Sequence, residues 1–183
     1  MSLFDKLPQG SAPRFDSRHP KLGEGEYVVT WRDVRVFESQ HPKTKGDICV
    51  VFEAEIEVST NPDHPAGQVI GEGLTVPLAG NAEDKRELTL GNIYQIVGHA
   101  QGEDPGTLGP DALAQLEKDP SIIRGERGII TKEGPNQYNW SKPHYYPATP
   151  GEVARVQKLA ERAGTLAAKA DSQTPDDDDV DLP

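Results

Sequence analysis

Residues 27–58 read YVVTWRDVRVFESQHPKTKGDICVVFEAEIEV, and the interpretation of this stretch decides the fold. It divides into two long apolar-rich runs joined by the turn-rich segment HPKTKGD. In the second run Ile48, Val50, Phe52, Ala54, Ile56 and Val58 fall on alternate positions, with Glu53, Glu55 and Glu57 between them. A period of two marks a strand with one face in a core and the other in water. The first run changes parity partway, since Tyr27, Val29 and Trp31 lie on one set of positions and Val34 and Val36 on the other. A bulge near Arg32 and Asp33 reconciles them. A long bent hairpin of this kind is how small β-barrels begin, and it gathers Trp31, Arg32, Arg35, Lys43 and Lys45 into one neighbourhood.

Outward from the hairpin, the turn NPDHPAG leads to a third strand expected over Gln68–Val76, and residues 79–86 read as a loop. Leu90, Ile93, Ile96, Val97 and Ala100 recur at three- and four-residue spacing and predict a short helix over Leu88–Ala100. Pro110 and Asp111 suit the first turn of a second one ending at Glu117. A strand is expected over Ser121–Thr131, then a turn at KEGPNQ and a strand at YNWSK. Thr149 as N-cap, Pro150 at the first position and Glu152 as capping-box partner start a C-terminal helix carrying the stripe Val153, Val156, Leu159, Ala160, Ala163 and Leu166.

This order predicts a mainly β protein. Its expected form is a five-stranded Greek-key barrel of the oligonucleotide-binding (OB) fold, with a short helical insertion, a C-terminal helix and a disordered acidic tail. The boundaries are a flexible N-terminal arm at 1–21, the barrel at 22–148, the helix at 149–170 and the tail at 171–183.

A length of 183 residues fits one domain with a substantial core. A hydrophobic fraction of 34% places part of the chain outside it. One cysteine, Cys49, excludes an internal disulfide and suits a reducing compartment. No apolar run approaches the roughly 20 residues of a membrane span, and the N-terminus lacks signal-peptide organisation. A cytoplasmic protein is expected. The net charge of −11 is unevenly placed, because six aspartates fall within residues 171–183, which hold no Lys or Arg. More than half of the net charge is therefore tail.

Motifs for catalysis are lacking. There is no GxxxxGK[ST] loop, GxSxG elbow, HExxH or paired-cysteine site, so neither an enzyme nor a cofactor is expected. His19, His41, His64, His99 and His144 are scattered outside usual zinc-ligand spacing. The glutamate stripe reads as a solvated strand face, and Cys49 has no activating neighbour. More informative is the interleaving of aromatics with bases, because exposed bases stack on flat side chains while cations follow the phosphates. The stacking candidates are Trp31, Phe37, Tyr138, Trp140, Tyr145 and Tyr146, with Phe37 and Phe52 assigned more readily to the core. The phosphate candidates are Arg32, Arg35, Lys43, Lys45, Arg124, Arg127, Lys132 and Lys142.

The opening hairpin, the late segment RGIITKEGPNQYNWSKPHYYP and the terminal DDDDVDLP together resemble bacteriophage single-stranded DNA-binding proteins. That resemblance implies sequence-independent binding and protection of single-stranded DNA during replication or recombination, with residence in the host-cell cytoplasm. It places base stacking first on Trp31, Tyr138 and Trp140, and phosphate contacts on Arg35, Lys43, Lys132 and Lys142. It gives Asp176, Asp177, Asp178, Asp179, Asp181 and Leu182 to recruitment of replication or recombination enzymes, or to autoinhibition. Oligomerisation or cooperative assembly on DNA through the arm or C-terminal helix is a further implication. The chain departs from bacterial relatives of this class in ending Leu182–Pro183 without a terminal aromatic. Two rival readings are an acidic interaction module that mimics DNA or inhibits a host enzyme, and a metal-dependent nuclease using Asp33, Glu53 and Glu55.

Overall fold

The computed structural model of the protein describes residues 19–78, 83–134 and 143–171. The opening hairpin forms β1 (Gly25–Glu38) and β2 (Ile48–Ser59), paired antiparallel with two irregularities. Arg32 is the extra residue between the pairs Trp31↔Ala54 and Asp33↔Glu53, at the expected bulge, so Trp31 and Val34 both face inward. A second irregularity leaves Glu57 unmatched between Val28↔Val58 and Val29↔Ile56. It turns Val58 off the inward parity of Ile56 and onto the opposite face, where it packs beside Val28.

β3 (Val69–Val76) pairs with β2, β4 (Arg127–Lys132) with the start of β1, and β5 (Pro143–Pro147) with β4. The result is one five-stranded antiparallel sheet in the order β3-β2-β1-β4-β5. Its concave face holds the main core, in which Tyr27, Trp31, Phe52, Ile70 and Ile130 are fully buried together with Ile93 and Ile96 of the helix α1 (Glu83–Gln101). The helix α2 (Pro110–Lys118) adds Leu116 to it. Burying each such side chain stabilises the fold by about 1.5–3 kcal/mol. A void of about 40 Å³ remains where Val36, Val50 and Val76 meet Ile93 and Leu116. On the convex face Val28 and Ile129 form a second, smaller core with Val153 and Val156 of α3 (Pro150–Asp171).

Three expectations need correction. The sheet does not close into a barrel, because β3 and β5 are edge strands with no ladder between them among the described residues. α1 packs against both edges instead and occupies the gap. That helix also starts earlier than its apolar pattern predicts. Residues 83–86 belong to it, with acidic Glu83 and Asp84 in the first turn, and Arg86 donates to the carbonyls of Pro77 (2.8 Å) and Leu78 (3.2 Å). Charge favourable to a helix start replaces the apolar signal there.

The strand expected over Ser121–Thr131 is broken. Pro120–Ile123 forms a 3₁₀ turn, Gly125 takes φ +85°, and the strand begins only at Arg127. The intervening backbone pairs with Trp31 at the bulge, Gly125 N–H donating to its carbonyl and its own N–H donating to Glu126. β4 pairs with Pro143–Pro147, and the strand expected at YNWSK lies outside the described residues. Leu22 is buried in the main core. Of the arm expected over 1–21, only residues 19–21 are described, and His19 lies beside Gly71 of β3.

Candidate functional site

The convex face of β1 and β2 carries charges of both signs in register. Arg35 meets Glu53 at 2.7 Å, Arg32 pairs with Glu55, and Arg127 of β4 donates through Nε to Glu57 at 3.1 Å. Thr30 also donates to Glu57. Burial pushes the Glu57 carboxyl up, but the bonds from Thr30 and Arg127 outweigh it and hold the group below its usual range. Arg124 lies 3.6 Å from Asp33 and donates to the carbonyl of Arg32. Exposed pairs of this kind contribute only about 0–1 kcal/mol each to stability. Their main effect is on the field. The glutamate stripe faces solvent as its alternation predicts, yet it neutralises the arginines expected to meet phosphates.

Two further candidates move indoors. Trp31 is 2% exposed, its ring edge-on to Phe52 with centroids 5.7 Å apart. A Cβ at Gly128 would stand 2.8 Å from its Nε1, so the β4 backbone lies against the indole. No base can stack on that ring, and its assignment as a platform is corrected to a core role. Lys132 is also interior: its side chain is 12% exposed and its Nζ lies 3.7 Å from Glu72. Glu72 pairs across β2 with Phe52 and so faces the main core. The ion pair thus ties β3 to β4 across the concave side of the open sheet. A phosphate contact from Lys132 would strand that carboxylate.

Burial raises the Glu72 pKa, against opposing attraction from Lys132 and Lys21. Because the native value lies above the unfolded one, its contribution is fully present below about pH 4.3, the ordinary Glu value, and is lost as pH rises through the raised native value. Unfolding free energy of the wild type, measured relative to Glu72→Gln across that window, should therefore fall with rising pH. A flat difference would refute the buried, coupled placement.

Lys43 and Lys45 lie in the turn between β1 and β2. Both are exposed, and neither makes an ion pair with a described residue. Their turn is rigidly built: Ser39 N–H donates to Asp47, Gly46 N–H to Ser39, and the Ser39 and Thr44 hydroxyls meet at 2.7 Å. Tyr138, Trp140 and Lys142 lie outside the described residues, as do Asp176, Asp177, Asp178, Asp179, Asp181 and Leu182.

The two tyrosines of β5 divide between the faces. Tyr145 is 3% exposed and burial pushes its phenol well up, with Glu72 adding to the effect, whereas Tyr146 is 44% exposed. Tyr146 stacks with His144, ring centroids 6.4 Å apart and planes 25° from parallel. Simple alternation along PHYYP could have separated these tyrosines had the strand been placed there. The apolar stripe of α3 gives no sign of the exposed cations Lys158 and Arg162 on the same helix.

Among the described residues, no helix is long and apolar enough to cross a membrane, and no group of three or more His, Cys, Asp or Glu side chains is arranged to hold a metal ion. No protein-family model matches this chain, and no curated protein matches its sequence.

Proposed function

We propose that the protein binds single-stranded DNA without sequence preference, on a partly open barrel of the oligonucleotide-binding kind. The observation that carries this reading is the strand order. β4 lies beside β1 to give the spatial series β4-β1-β2-β3, the arrangement of a Greek key. A helix inserted between β3 and β4 spans the two edges, as suits a barrel left open at one seam. In such barrels the β1–β2 and β4–β5 loops hold oligonucleotides. Here the first carries Lys43 and Lys45, which make no ion pair with a described residue, and the sequence between β4 and β5 includes Tyr138, Trp140 and Lys142. Binding rests on stacking and counterion release, with no chemical step. The acidic tail, through Asp176–Asp179, Asp181 and Leu182, competes for the cations and recruits replication or recombination proteins.

Anisotropy of labelled oligo-dT and a matched duplex, titrated across a salt series, tests the proposal. Affinity should favour the single strand, fall steeply with salt, and rise when the chain ends at Ala170. Replacing Lys43 and Lys45 by alanine should reduce the log–log salt slope by about 1.4, since each phosphate contact to a single strand contributes about 0.7. A second reading, an acidic interaction module or DNA mimic, is favoured by the glutamate stripe that neutralises the sheet arginines. Absence of DNA binding by either chain at low salt would select it.

A further inference from the structure

Residues 19–24 pass from one face of β3 to the other before β1 begins. His19 stands against Gly71 and 4.0 Å from Glu53, on the convex face, whereas Leu22 is 3% exposed in the main core on the concave side. The end of this strap is fixed by hydrogen bonds to Gly23 and Glu24. The Tyr27 hydroxyl is shared between the carbonyls of Gly23 (3.1 Å) and Glu24 (3.2 Å), and Asn61 Nδ2 donates to the carbonyl of Glu24 at 2.8 Å. Gly23 N–H donates to Nε2 of His64 at 2.9 Å.

His64 is buried in the turn that joins β2 to β3, its ring edge-on to Tyr27 and its Nδ1 3.0 Å from Gln68 Oε1. A backbone N–H can only donate, so Nε2 is the unprotonated nitrogen and Nδ1–H is the donor to Gln68. The geometry therefore admits the neutral ring in one tautomer. The fit is also close: a Cβ at Gly23 would stand 3.0 Å from Asn61 Nδ2 and 3.3 Å from the same Nε2.

A proton on Nε2 turns the acceptor into a second donor facing the Gly23 N–H, so protonation and the latch exclude each other. The titratable and charged groups around the ring are Asp63 on its own turn, the Tyr27 phenol on β1 and Glu72 on β3, both carboxylates acting on that phenol, with Lys21 and Glu24 on the strap. The Glu24 carboxylate is turned toward Gly134. His19, the other histidine of the strap, works in the opposite sense, because its charged form is drawn to Glu53.

We infer that residues 19–24 form an acid-released strap, latched while His64 is neutral and freed when its Nε2 takes up a proton, which uncovers the seat of Leu22 in the main core. The device operates whether or not the protein binds DNA.

Hydrogen exchange at the Gly23 amide, read by NMR on the full chain and corrected for the intrinsic exchange rate, tests the latch. Between about pH 7 and pH 5, where an imidazole changes charge, the opening constant at Gly23 should rise about tenfold or more, the effect of one proton bound in the open state and excluded from the latched one. The amides of β1 and β4 should keep their protection over the same range. His64→Gln leaves an acceptor oxygen within reach of the Gly23 N–H and should hold the strap closed throughout, which titration of His19 or general acid unfolding would not allow. His64→Phe, with no acceptor, should leave Gly23 open at every pH. A level Gly23 opening constant in the wild type, or acid release of equal size in His64→Gln, would overturn the inference.

Discussion

Trp31→Ala is expected to lower the unfolding free energy by about 3–5 kcal/mol, the usual cost of removing a large aromatic from a packed core. The indole is 2% exposed, meets Phe52 edge-on and has the Gly128 backbone against its Nε1. Its backbone also exchanges hydrogen bonds with Gly125 and Glu126 at the bulge, so the cavity would open where two irregular segments are pinned together. Trp31→Phe should recover much of the loss, since a ring remains to pack on Phe52. Urea unfolding followed by far-ultraviolet circular dichroism measures both variants. A Trp31→Ala chain of wild-type stability with weakened oligo-dT binding would return Trp31 to the surface role that its sequence neighbours suggest.

The contrast between Trp31 and Tyr146 shows what the sequence makes legible. Alternation in β2 and the parity break in β1 placed the hairpin, its bulge and its two faces, because side-chain direction in a strand is a local property. Pro150 and the Thr149 cap likewise marked the start of α3, where Thr149 Oγ1 accepts from Glu152 N–H at 3.3 Å. What local pattern leaves open is the pairing of side chains brought together from different strands. The basic character of Arg32, Arg35 and Arg127 was plain in the sequence, but their neutralisation depends on cross-strand register with Glu53, Glu55 and Glu57. Ser121–Thr131 looked like one strand because Ile122 and Ile123 are apolar. Ile123 in fact reaches the core from a 3₁₀ turn.

Lys132→Ala is expected to be the most damaging charge change, costing about 3 kcal/mol, at the lower end of what a broken buried ion pair costs. The substitution leaves Glu72 on the inward face of β3, beside Phe52 and near the buried Tyr145 phenol, whose oxygen has no hydrogen-bond partner among the described residues. Lys21 still attracts Glu72 and moderates the loss. Removing both charges should be far milder than removing one, because well-packed neutral residues often replace a buried pair without loss. Glu72→Gln combined with Lys132→Met should thus recover most of the stability that Lys132→Ala forfeits. Acid should also relieve the single variant, since a protonated Glu72 no longer needs a cation and the difference from wild type shrinks as pH falls. A surface phosphate contact behaves otherwise: Lys132→Ala would then leave stability and its pH profile unchanged and lower only DNA affinity. Chemical unfolding of the three chains at neutral and acid pH separates these outcomes, because only an interior pair makes the single substitution costlier than the double one.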